Sequence, residues 1–284
     1  MRLLRSTSTP SHRGFTLVEL LVVITILAIL SSLTLMGLAR AGSRGKSDAT
    51  KFLIRKLSDA VTEHYETYED AALTASSLVA LRSRMREEMP DAWADIAPST
   101  NVPTPSTAVG RTYQRYKARF PSASKTFQGA ECLYMIVTES GLFPDFLGSI
   151  KPDRVGDVDE DGAREFLDGW GRPIEFFRWA PGLPSLLTTI QIPASGGSNP
   201  RPDPMDVSNA DPNAFALFPV IYSAGPDGAA GESGAYGLTV AEDGWPDTSL
   251  PHICEFKPKN ENLVGAPTSS SHRDDITNHQ LIAE

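Results

Sequence analysis

The chain has 284 residues, of which 26 are basic and 35 acidic, for a net charge of −9. That balance argues against nucleic acid as a main partner, since phosphate binding needs clustered Lys and Arg, and it is compatible with divalent cations. The length leaves room for one large domain, or for one carrying an insertion.

The first element is an apolar run in which Glu19 is the only charged residue between Phe15 and Ala39. As a helix it would rise roughly 37 Å at ~1.5 Å per residue, enough to cross a ~30 Å hydrocarbon core. Arg2, Arg5 and Arg13 precede it without an acid. By the positive-inside tendency they hold the N-terminus in the cytoplasm and leave the bulk of the chain outside the inner membrane. Three readings compete. A secretory signal peptide could be cut at Ala39-Arg40-Ala41, but its apolar core is shorter and has no use for an acid. A plain anchor would bear a cost of about 2.5–3.5 kcal/mol for Glu19 near the bilayer centre, less towards an edge. In the third reading the chain is cut between Gly14 and Phe15. Phe15 then carries an α-ammonium in the first turn, and Glu19 meets both the helix macrodipole and the amine of a neighbouring copy.

Arg13-Gly14-Phe15-Thr16-Leu17-Val18-Glu19 followed by the apolar run resembles the class III signal of type IV pilins and type II secretion pseudopilins. The resemblance implies that a prepilin peptidase cuts after Gly14 and N-methylates Phe15, and that Glu19 pairs with a neighbouring subunit's amine. Where that family often has proline, this chain has Met36, with Gly37, Gly42 and Gly45 as residues that could loosen the helix nearby.

Beyond the span, Leu53, Leu57, Ala60, Val61, His64, Tyr65 and Tyr68 recur at three and four, one face of a helix that continues from it. His64 on that face reads as a packed core histidine. Ala75 to Met89 reads as a second helix stopped by Pro90, and Pro98 to Gly110 as a Pro-rich linker or exposed loop. Arg111 to Phe120 is basic and interleaved with aromatics, a pattern that could touch nucleic acid or lipid headgroups but equally describes one solvated helix face. Ala130 to Ser140 is a short helix packing through Leu133, Ile136 and Val137. Strand candidates follow at 172–180, 186–192 and 215–225, with a long surface loop at 195–212 between the last two.

The acidic stretch Asp157 to Asp168 follows the spacing of a calcium loop. Asp157, Asp159 and Asp161 would supply oxygens and Gly162 the sharp turn. The carbonyl of Ala163, Glu165 and a closing Asp168 would complete the ligand set. Asp168 stands where an EF-hand loop has glutamate, and its shorter arm reaches less easily. The alternative is a solvated acidic turn. Asp168 to Phe176 also resembles the strand entry of major pseudopilins. Tyr222 to Gly228 with Asp274 to His279 is similar to their C-terminal loop, which in that family holds calcium. The resemblance thereby implies a second candidate set of Asp227, Asp274 and Asp275, although the two pieces lie unusually far apart here. Cys132 and Cys254 either pair in an oxidising compartment or remain two buried thiols.

Helices first and strands afterwards predict an α+β fold, with an antiparallel sheet laid on the long helix. The segments expected are a leader at 1–14, an assembly span at 15–39, its continuation at 40–70, a helical insertion at 71–130 and an exported head at 131–284. No nucleophile elbow, zinc-protease motif, phosphate-cradling glycine loop or Cys-x-x-Cys occurs, so a non-enzymatic role is expected. The expected role is a pseudopilin that assembles with like subunits in the inner membrane. The alternative is a minor pilin or displayed binding module that forms no homopolymer.

Overall fold

Helix α1 runs unbroken from Leu17 to Thr74 in the computed structural model. The structure describes residues 16–74, 76–96, 105–123, 126–178, 187, 218–226, 228 and 275–282. The helix continues through Met36, Gly37, Gly42 and Gly45 without a break. The chain divides into two units, Met1–Arg44 and Gly45–Glu284. In the first, every large apolar side chain from Leu17 to Leu38 is exposed. The polar groups of this stretch turn back on their own helix: Thr25 donates to the Leu21 carbonyl and Ser32 to that of Ile29. Such back-bonding satisfies a hydroxyl without a neighbour.

In the second unit the expected stripe is realised. Leu53, Ile54, Leu57, Ala60, Val61, Tyr65 and Tyr68 of α1 are buried, while Arg55, Asp59 and Glu66 between them face solvent. His64 is half-buried and packs edge-on against Tyr68. Helix α2 spans Leu78–Glu88, starting later than expected because Ser77 caps it by accepting from the Ala80 amide. Helix α3 spans Ala108–Arg119, capped by Thr107, so the tail of the expected linker is helical. Glu87 at the end of α2 accepts the backbone amides of Ser106 and Thr107 and holds the start of α3 in place.

Tyr113 and Tyr116 of α3 point into the core, whereas Arg111, Arg115 and Arg119 face outward. Tyr113 and Tyr116 of the basic stretch are therefore packing residues, with Phe120 packed against the same cluster. Met85, Met89, Trp93, Ile96, Tyr113 and Tyr116 belong to the same hydrophobic cluster as Leu57, Leu133 and Phe176. The described helices α2 and α3 thus contribute side chains to the head's core.

Helix α4, Gln128–Glu139, is enclosed: every residue from Gln128 to Val137 is buried. Its approach to the sheet requires Gly129, where a Cβ would lie 2.7 Å from the Phe176 carbonyl oxygen. Strands β1 (Val155–Gly156) and β2 (Glu165–Phe166) form an antiparallel hairpin. Strands β3 (Glu175–Phe177), β4 (Val220–Ser223) and β5 (Ile276–Thr277) form an antiparallel sheet in that order. A short helix α5, Asn278–Ile282, follows directly. The fold is α+β, as expected. The strand expected at 186–192 and the loop at 195–212 fall outside the described residues, Leu187 excepted.

A buried ionic network braces one side of this core. Arg178 lies 3.1 Å from both Asp91 and Asp95, and Arg86 also pairs with Asp95. Asn278 Nδ2 donates to the Ser58 hydroxyl of α1 and to the Pro219 carbonyl. The start of α5 is thereby fastened to the long helix.

Candidate functional site

Two places carry the residues singled out in the sequence. At the first, Thr16 precedes α1 and Glu19 occupies its third helical position. The Thr16 amide and hydroxyl both donate to Glu19 Oε2, at 2.8 and 2.9 Å, and the Glu19 amide donates to Thr16 Oγ1 at 3.2 Å. This is a reciprocal capping box, which satisfies amides that the first turn of a helix leaves unpaired. The spacing Thr-x-x-Glu was the available signal for it. Gly14 and Phe15 lie outside the described residues.

The second place is the loop of the β1–β2 hairpin. Gly156 and Glu165 are register partners, so residues 157–164 close the hairpin. Glu160 and Gly162 have φ of 59° and 99°, the left-handed conformations that turn the chain sharply. Asp157 Oδ2 accepts the Gly162 amide at 2.9 Å, and Asp161 Oδ1 accepts the amide of buried Ala163 at 3.0 Å. Glu165 is fully buried. Its Oε2 accepts the Val158 amide at 3.1 Å, and its Oε1 has no hydrogen-bond partner. Asp157, Asp159 and Glu165 bring a carboxylate oxygen each to within 4.8 Å of one another.

Asp168 stands apart from that cluster. Its Oδ1 accepts the amides of Trp170 and Arg172, and its Oδ2 accepts the Ser223 hydroxyl at 2.6 Å. The side chain organises the Gly169-Trp170-Gly171 turn and ties it to β4. The turn lies directly on α1, with the Gly169 amide donating to Thr50 Oγ1 at 2.7 Å. A Cβ on Gly169 would sit 2.3 Å from the Lys46 carbonyl oxygen. Here glycine is required by close approach.

In place of Asp168, the structure brings Glu131 of α4 to the loop. Glu131, Asp159 and Asp161 form a second set of oxygens within 4.8 Å, sharing Asp159 with the first. Glu131 is fully buried; Oε2 accepts the indole N–H of Trp93, and Oε1 has no hydrogen-bond partner. Burial, then the nearby Asp161 carboxylate, pushes its pKa up to about 9. Burial pushes Glu165 up to about 8, opposed by the Val158 amide and reinforced by Asp159 and Asp157. Of the weaker candidate set, Asp275 is buried immediately before β5, while Asp227 and Asp274 lie outside the described residues. Cys132 is a free thiol buried in α4, and Cys254 lies outside the described residues.

Residues 9–35 match the family model of the prokaryotic N-terminal methylation motif. No curated protein and no solved structure matches the chain. The N-terminal segment therefore carries a type IV pilin-like prepilin signal. The motif marks a substrate of prepilin peptidase and points to a structural subunit. It adjoins the one described helix long and apolar enough to cross a membrane, which points to membrane anchoring.

Proposed function

We propose that this protein is a membrane-anchored, pseudopilin-like structural subunit of a type II secretion or type IV pilus-like machine. Prepilin peptidase cuts it after Gly14 and methylates Phe15, and it assembles with like subunits through α1. The observation that carries the reading is the methylation motif at residues 9–35, continuous with an apolar helix whose large side chains from Leu17 to Leu38 are all exposed. A helix apolar on every face needs lipid or its own kind around it. Both Thr16 bonds fall on Glu19 Oε2, so in this reading Oε1 receives the amine of the next subunit.

Intact mass of the protein extracted from membranes tests the processing. The expected species lacks Met1–Gly14 and carries one methyl group on Phe15, and Gly14→Val leaves the precursor uncut. A mature terminus at Gly42 would instead make the segment an ordinary signal peptide.

The second reading, a minor pilin or displayed binding module, is favoured by one observation. Helices α2 and α3 join the head's core and enlarge it, and a large head hinders close packing of copies. Crosslinking in intact cells separates the two readings: a homopolymer ladder supports the first, and crosslinks only to other proteins support the second.

A further inference from the structure

The hairpin loop and α4 bring five carboxyl groups together, two of them fully buried. Among the described residues around them, Lys117 is electrostatically coupled to Glu131 and Asp161. Its ammonium, however, donates to the carbonyls of Phe120 and Ala123 and lies over the Trp93 ring. It is coupled to two of the five carboxyl groups and is itself held by those carbonyls. Glu131 and Glu165 are each fully buried, and each keeps one oxygen without a hydrogen-bond donor. A buried carboxyl oxygen left so is costly unless a proton or a cation meets it.

We propose that Asp157, Asp159, Asp161 and Glu165 of the hairpin, together with Glu131 of α4, hold a calcium ion centred on Asp159. The donor set is all oxygen and mostly carboxylate, which suits a hard divalent cation and not a thiolate- or imidazole-seeking metal. Oxygens bound to calcium at about 2.3–2.6 Å lie at most about 5 Å apart; each set taken by itself falls within 4.8 Å, and the two sets meet at Asp159. Crowded, partly buried carboxylates that exclude water favour calcium over magnesium, which keeps several waters. Glu131 takes the closing position that the linear spacing assigned to Asp168, because Asp168 is spent on the Trp170 turn and Ser223. The ion joins two elements: it pins the hairpin to the enclosed helix α4.

The full chain, solubilised in detergent and stripped with chelator, is tested by equilibrium dialysis with radioactive calcium chloride and by thermal unfolding. The wild type should bind one calcium ion per chain and melt several degrees higher with calcium than in chelator. Magnesium chloride at the same concentration should give a smaller shift. Glu131→Gln, which keeps an acceptor for Trp93, should fold and bind calcium about tenfold more weakly or worse. Should that variant not fold, Asp161→Asn is held to the same criterion. Absence of calcium binding by the wild type, or a response to magnesium alone, overturns the proposal and leaves the glutamates holding protons. Undiminished binding by the folded variant overturns it too, and places the ion elsewhere in the chain.

Discussion

The Ser223 hydroxyl donates a 2.6 Å hydrogen bond to Asp168 Oδ2 across 55 residues of sequence. This buried contact fastens the turn after β2 to the central strand β4. Asp168 also receives the Trp170 and Arg172 amides, so its loss strands three donors, whereas that of Ser223 strands one acceptor and one donor, the Gly225 amide. Ser223→Ala should cost about 1–2 kcal/mol and Asp168→Ala about 3 kcal/mol, the double variant less than their sum. Urea denaturation of the three variants checks this, and strict additivity would mean the two residues are not coupled.

The long helix and its buried stripe were legible because a period of three and four needs no tertiary context: Leu53, Leu57 and Tyr65 fall where the pattern puts them. The helix caps were legible in principle, since Thr16-x-x-Glu19 has the capping-box spacing. Asp168 and Glu131 were not legible. Asp168 lies at the right interval for a loop ligand, but its partner Ser223 comes from the distant strand β4, and the turn it organises is held to α1 through the Gly169–Thr50 bond. Glu131 sits on a helix that one apolar face would explain. Only enclosure of α4 on all sides turns that glutamate inward.

His279 is buried beside the Phe218 ring with Nε2 3.0 Å from the Pro219 carbonyl oxygen. Burial pushes its pKa down to about 4, against the opposing pull of the Pro219 and Phe218 carbonyls. An unfolded histidine titrates near 6.5. Between these values the unfolded chain binds a proton that the folded chain does not, so stability is lost as pH falls from about 6.5 towards 4. From pH 7 to 4.5 the wild type should lose about 2–3 kcal/mol more than His279→Gln. Urea midpoints at the two pH values decide it; equal losses would mean the imidazole does not govern this window.

Cys132 is fully buried, and burial raises its thiol well above the usual cysteine range. The nucleophile is the thiolate, so the native chain should resist alkylation at this position. Mass-mapped labelling with iodoacetamide should modify Cys132 only once the head unfolds in urea. Rapid modification of the folded protein would show that α4 opens locally.

Thr16 and Glu19 allow the two uses of the same carboxylate to be separated. As a cap, Glu19 accepts from the Thr16 amide and hydroxyl; as an assembly residue, it needs its charge. Glutamine fills the same position of a capping box but carries none. Glu19→Gln should therefore insert and be cleaved after Gly14, yet fail to crosslink into multimers. Thr16→Ala removes the reciprocal cap at a cost of about 1 kcal/mol and leaves the charge, so it should still assemble. Glu19→Ala loses both and should resemble Glu19→Gln in assembly. The outcome that would sink a role in subunit pairing is a Glu19→Gln protein that forms multimers as the wild type does, while Thr16→Ala and Glu19→Ala do not. In that event the acid at the head of the span serves its own helix, and the register between subunits is set by the apolar faces alone.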